Sequence, residues 1–149
     1  MANTQALAQS FRVEQLNGIH ALGTTVVRAA TTPDVFKAAL YFASATTDGT
    51  TTAYTTTGEV TGTGYTAGGV TFTWVAPANT GAVAFTTPSA SFAWTGLTAS
   101  AFDAVLIYNS TQGNKAVGVW TFGSQTVTAG NFSLTQPGNT STTGLLRVA

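Results

Sequence analysis

The chain has no cysteine, one histidine, one methionine and four prolines in 149 residues. Without cysteine, neither disulfides nor thiolate metal sites contribute to stability, and nothing asks for an oxidising compartment. The single histidine, His20, has no Cys, Asp or Glu at ligand spacing, so neither a metal nor a cofactor is expected. Charge is almost as scarce: Asp, Glu, Lys and Arg make up 7% of residues, against roughly 25% in typical soluble domains. The five basic residues, Arg12, Arg28, Lys37, Lys115 and Arg147, are scattered and cancel the five acids. That leaves no basic patch for nucleic acid and no polybasic segment for an anionic membrane. No apolar run approaches transmembrane length, and MANTQALAQSF lacks the basic and apolar regions of a secretory signal. The expectation is synthesis and folding in a cytoplasm, which makes the sequons at Asn109, Asn131 and Asn139 chance products of the composition.

What is present is 44% hydrophobic residues in a background of Thr, Ser, Gly, Asn and Gln. The length is that of one domain with its own core. Threonine, the commonest residue, is β-branched and fits a pleated surface better than a helix. A near-neutral, weakly charged surface also tends to associate, which suits a homo-oligomer or a larger assembly.

The only convincing helical pattern comes first. Thr4 is placed as an N-cap, Leu7 and Phe11 share a face, and Gly18 is a stop, so a helix or arm over about 4–17 is expected within an arm of residues 1–22. Residues 23–149 read as β. In VFKAALYF, Phe36, Ala38, Leu40 and Phe42 alternate with Lys37, Ala39 and Tyr41; Val70, Phe72 and Trp74 repeat the pattern, as do Ala90, Phe92 and Trp94. Ala104 to Tyr108 is apolar throughout, as in a central strand covered on both faces, and Ser110 to Asn114 is a turn leading to Val117–Phe122. Asn131–Thr135 and the closing LLRV add short strands. About eight strands with almost no helix argue for an antiparallel β-sandwich, jelly-roll-like or immunoglobulin-like.

One glycine-rich stretch, YTTTGEVTGTGYTAGG from Tyr54 to Gly69, contains a G-x-G-x-x-A match to the dinucleotide fingerprint. That motif needs a preceding strand, a following helix and an acid some 20 residues on, and none of the three is there. Backbone geometry is the better account. Thr56-Thr57-Gly58-Glu59 has capping-box spacing, with Glu59 reaching back to a free N–H. Gly62 would then end the helical turn in the left-handed position and Gly64 would permit the reversal. Tyr65 would plug the end of the sandwich, and Gly68-Gly69 would bend the chain into the next strand.

The residues Tyr54, Glu59, Val60, Gly62, Gly64, Tyr65, Gly68 and Gly69 form a pattern that resembles a segment of small structural proteins of tailed-bacteriophage virions. The similarity extends through AVLIYNST, VGVWTFGSQTVTAGNFSLTQP and LLRVA, and the opening segment with NGIH is also similar. The resemblance implies a non-enzymatic virion protein of the capsid decoration, or cement, type. It would dock on the major capsid protein at the capsid exterior, after synthesis in the host cytoplasm. The alternative is a receptor- or glycan-binding module of a head fibre or tail on the same scaffold.

For docking, the arm offers Leu7, Phe11, Arg12 and Leu16, although Leu7 and Phe11 could equally pack on their own sandwich. No catalytic residues are assigned. A Ser-His-Asp set from His20, Asp103 and a serine has no G-x-S-x-G elbow to support it. The carboxylates Glu14, Asp34, Asp48, Glu59 and Asp103 are spread along the chain, mostly at caps and turns. Among the aromatics, Trp74 and Trp94 fall on the apolar phase of their strands, so core or interface is favoured over a glycan platform.

Overall fold

A long antiparallel hairpin organises the molecule, here described from a computed structural model covering residues 2–8, 10, 11, 15, 19–24, 32–81 and 83–148. Its strands are β6 (Phe92–Asn109) and β7 (Lys115–Leu134), joined by the expected turn at 110–114. Around it forms a five-stranded sheet in the order β1-β7-β6-β2-β3, with β1 (Ala6–Leu7), β2 (Phe36–Phe42) and β3 (Val70–Phe72). A second sheet has the order β4-β5-β8, from Ala78–Thr80, Val83–Thr86 and Leu146–Val148. Every pairing is antiparallel, and the fold is an all-β sandwich.

Sequence period places the core. On β2, Phe36, Ala38 and Leu40 lie opposite Asn109, Ile107 and Val105 of β6, while Ala39 and Tyr41 lie opposite Leu106 and Ala104 on the other face. All of these β2 residues are fully buried. Both faces are therefore covered, as the continuous apolar run in β6 requires. The Ile107 face also carries Phe72, which with Phe36, Trp74 and Phe92 makes a cluster of tilted and edge-on rings. The Tyr41 face is closed by the β2–β3 connection, residues 43–69. Its segments bridge to the sheet at Ala53–Lys115 and Tyr41–Glu59.

The structure departs from the sequence reading in three places. The segments read as separate strands, Ala90–Trp94 with Ala104–Tyr108 and Val117–Phe122 with Asn131–Thr135, are continuous strands β6 and β7. Gly96 (φ 62°) and Gly123 (φ 79°), between those segments, lie at register shifts where one strand carries extra residues, one at Gly96 and two at Gly123. The hairpin of β4 and β5, reversing at Gly81 (φ 59°), has no counterpart in the sequence reading. The N-terminal arm, finally, is not a helix from Thr4. Thr4 N–H donates to Thr47 O, and Ala6 and Leu7 pair with Val119 and Gly118 as an edge strand. Backbone pairing with β7 outweighed the weak helical spacing of Leu7 and Phe11. Helical geometry among the described residues is confined to Ser10, Phe11 and Gln15; the remainder of the expected helix lies outside them.

Candidate functional site

The glycine stretch is a chain of three β-turns laid across the large sheet. They close through Glu59 N–H to Thr56 O (3.2 Å), Tyr65 N–H to Gly62 O (3.3 Å) and Gly69 N–H to Thr66 O (2.9 Å). The third residue of each is a glycine at positive φ: Gly58 (79°), Gly64 (75°) and Gly68 (87°). That is the conformation a type II turn demands at this position. Close approach adds a second requirement at Gly62 and Gly69, where a methyl would collide with the carbonyl oxygens of Thr98 and Ala38. Gly62, at φ 146°, ends no helix, because there is no helical turn for it to end.

Glu59 does not complete a capping box. Its backbone bridges to Tyr41, which turns the side chain inward, and only 4% of the residue is exposed. The carboxylate accepts hydrogen bonds from the Tyr54 hydroxyl (2.7 Å), the Tyr65 hydroxyl (2.8 Å) and Gly68 N–H (2.7 Å). An acceptor-only group suits three donors. Tyr65 also accepts from Leu40 N–H (3.0 Å), so it fastens the loop to the edge of β2 beyond its pairing with β3 rather than plugging the end of the sandwich. Tyr41 donates to Thr55 O and Tyr108 to Gly68 O (2.8 Å), and Tyr54 stacks on Tyr108 at 4.6 Å.

All four tyrosines of the chain thus gather around one glutamate, Tyr54 and Tyr65 bonded to its carboxylate and Tyr41 and Tyr108 to the loop that carries it. Burial, with the Glu59 charge adding to it, pushes Tyr108 up to about 12 and raises Tyr41, Tyr54 and Tyr65 further still. The sequence pattern singles out the glycines, Glu59 and Tyr65, but not the bonds of the Tyr54 and Tyr65 hydroxyls to Glu59 or the place of Tyr41 and Tyr108 beside them. The five-residue spacing from Tyr54 to Glu59 was the available signal.

The arm is held by a second clasp, centred on Asn3. Its amide nitrogen donates to Phe42 O (2.9 Å) and Asp103 Oδ1 (2.6 Å), and its Oδ1 accepts from Thr47 N–H (3.1 Å) and Thr47 Oγ1 (2.7 Å). Of the candidate docking residues, Phe11 is 1% exposed and lies 4.7 Å from the His20 ring, inside its own chain's core. Leu7 is half-buried beside a surface cleft. Arg12 and Leu16 lie outside the described residues.

A third polar cluster gathers His20, Asp34 and Asn109 at the turn end of the large sheet. Asn109, fully buried, donates to Asp34 Oδ2 (2.7 Å) and faces His20 Nδ1 at 3.3 Å, while its Oδ1 accepts from Thr111 and Gln112 N–H (both 3.1 Å). Ala21 N–H and the Gln112 amide also donate to Asp34. The structure therefore links His20 to Asp34 through the Asn109 amide, whereas Asp103 is bonded to Asn3. Asp48 accepts from Thr50 N–H (2.7 Å) and Oγ1 (2.6 Å), and these bonds hold its carboxyl below the usual range. Glu14 lies outside the described residues. No group of three potential metal ligands occurs among those described.

The tryptophans divide. Trp74 and Trp94 are each 4% exposed, in the core that their strand phase predicts. Trp120 is half-buried on β7, where a cleft of about 470 Å³ opens between the two sheets. No protein-family model, no curated protein and no solved structure matches the chain.

Proposed function

We propose that this is a non-enzymatic structural protein of a phage virion, which decorates the capsid exterior and stabilises it by docking across neighbouring capsid subunits as a homo-oligomer. The identification with phage proteins rests on the sequence resemblance carried by the Tyr54–Gly69 pattern. The observation that carries the non-enzymatic part is where the carboxylates go. Glu59, Asp103, Asp34 and Asp48 each bind donors of their own fold: a tyrosine clasp, the Asn3 tether, the Asn109 network and the Thr50 turn. A reacting carboxylate needs a place for substrate beside it; these four organise loops and termini instead. A rigid, weakly charged sandwich is suited to work by repetition, each copy adding a modest interface to an assembly.

Quantitative mass spectrometry of purified particles tests the reading. A decoration protein is expected at a copy number comparable with the major capsid protein. A few copies per particle would favour the receptor-binding module, and absence from the particle would end the proposal. Hydrolysis of host-surface polysaccharide by the isolated chain would overturn its non-enzymatic part.

A further inference from the structure

The cleft at Trp120 is a built feature of the sandwich. Trp120 pairs with Val105 across the hairpin, and its indole leans back along β7 over Gly118. A methyl at Gly118 would sit 2.8 Å from Trp120 Cη2 and 3.0 Å from Cζ3. Glycine at 118 therefore makes room for the indole to come down on the strand, where any side chain would lift it. The ring borders the cleft of about 470 Å³ and a second of about 170 Å³, and Gln5 and Leu145 line both, so the two form one trough. The larger volume is within the range of small-molecule sites, about 300–1,000 Å³.

The lining is mixed in a particular way. Leu7, Val83 and Leu145 supply apolar wall, while Gln5, Ser141 and Arg147 supply neutral and cationic hydrogen-bonding groups. Among the described residues, no carboxylate lines either cleft. Gln5 is anchored by accepting Thr121 N–H through Oε1 (3.4 Å), which leaves its amide N–H groups to donate. Arg147 uses one donor on Thr142 O (2.7 Å), an anchor that leaves four others in its guanidinium fork.

We propose that this trough binds carbohydrate, with one sugar ring against the Trp120 indole and its hydroxyl or carboxylate substituents on Gln5, Ser141 and Arg147. A pyranose matches the lining because its C–H face is apolar and its rim is polar. A lipid chain would leave Gln5, Ser141 and Arg147 without partners, and a cationic ligand would meet Arg147 with no acid among the described lining residues to offset it. The site is independent of where in a particle the chain resides, so it can stand or fall separately from the decoration role.

The test is an NMR titration of the isotope-labelled full chain with methyl glucoside, N-acetylglucosamine and glucuronate. The three tryptophans give three indole N–H signals, of which the buried Trp74 and Trp94 are internal controls. Saturable shifts are expected at the Trp120 indole and the Gln5 amide, with Kd on the order of 1–10 mM for a monosaccharide. Trp120→Leu should weaken binding at least about tenfold, equivalent to about 1.4 kcal/mol. Arg147→Gln should lower affinity for glucuronate and leave methyl glucoside unaffected; this variant carries the test if Trp120→Leu does not fold. The proposal is overturned if none of the three sugars moves the Trp120 signal well above that concentration range. It is equally overturned if the Gln5 shifts persist unchanged in folded Trp120→Leu, or if glucuronate affinity is unchanged in folded Arg147→Gln.

Discussion

Replacing Glu59 by alanine is the sharpest test of the clasp. The substitution removes the acceptor of three hydrogen bonds, from Tyr54, Tyr65 and Gly68, at a residue that is 4% exposed. A buried donor left without a partner costs about 1–3 kcal/mol. Tyr54 is half-buried and can recover water, so the other two donors set the sum for Glu59→Ala at about 2–6 kcal/mol, a large share of the roughly 5–15 kcal/mol that holds a domain of ordinary stability. Glu59→Gln keeps one acceptor oxygen and the side-chain volume, and should cost about 1–2 kcal/mol, the worth of the charge-assisted component. Equilibrium urea unfolding of the three proteins, monitored by tryptophan fluorescence, measures both differences at constant slope. If Glu59 were only the exposed third residue of a capped turn, alanine would cost about 1 kcal/mol. A Glu59→Ala loss at or below that value refutes the clasp.

Further outcomes follow from the same geometry. Because the folded tyrosines are raised above the ordinary value of about 10, the unfolded chain holds fewer tyrosine protons above that pH, and stability falls as pH rises from there. Tyrosinate absorbance should therefore stay low past pH 10 and appear in one step coincident with loss of β circular dichroism; independent titration of the four near 10 would contradict their burial. Gly69→Ala combines a positive φ with a collision against Ala38 O and should cost more than about 3 kcal/mol, whereas Gly81→Ala, at φ 59° in open space, should cost about 1 kcal/mol. Equal losses in thermal unfolding would remove close approach as the reason for Gly69. Asn3→Ala cuts four hydrogen bonds of the arm and should destabilise by about 2–3 kcal/mol while selectively speeding hydrogen exchange at Ala8 N–H, which donates to Val117 O. Unchanged exchange there would mean that β1 pairing holds the arm without its tether.

Truncating the arm to test docking is less clean than the sequence alone implies. Residues 1–18 include β1, Asn3, Ala8 and Phe11, so their removal opens the core and a sheet edge together. Point changes at Leu7, beside the Trp120 cleft, separate partner binding from folding better.

The sequence by itself determined the class of fold and the position of its core. Alternation in Phe36–Phe42, the apolar run Ala104–Tyr108 and the turn at 110–114 are local, since strand period and turn chemistry depend on neighbours along the chain. It also showed that the glycines from Gly58 to Gly69 serve backbone geometry and that no phosphate motif is present. Only the tertiary structure decided which residues meet. That Gly96 and Gly123 lie at bulges inside continuous strands is one such case, because a bulge is defined by the partner strand's register. Ala6 and Leu7 became a strand because the edge of β7 offered backbone partners. The same holds for the glutamate: spacing to Thr56 suggested a cap, but its carboxylate accepts from the Tyr54 and Tyr65 hydroxyls and Gly68 N–H, in a loop that Tyr41 of β2 and Tyr108 of β6 hold in place through Thr55 O and Gly68 O, contacts that no local window of sequence contains.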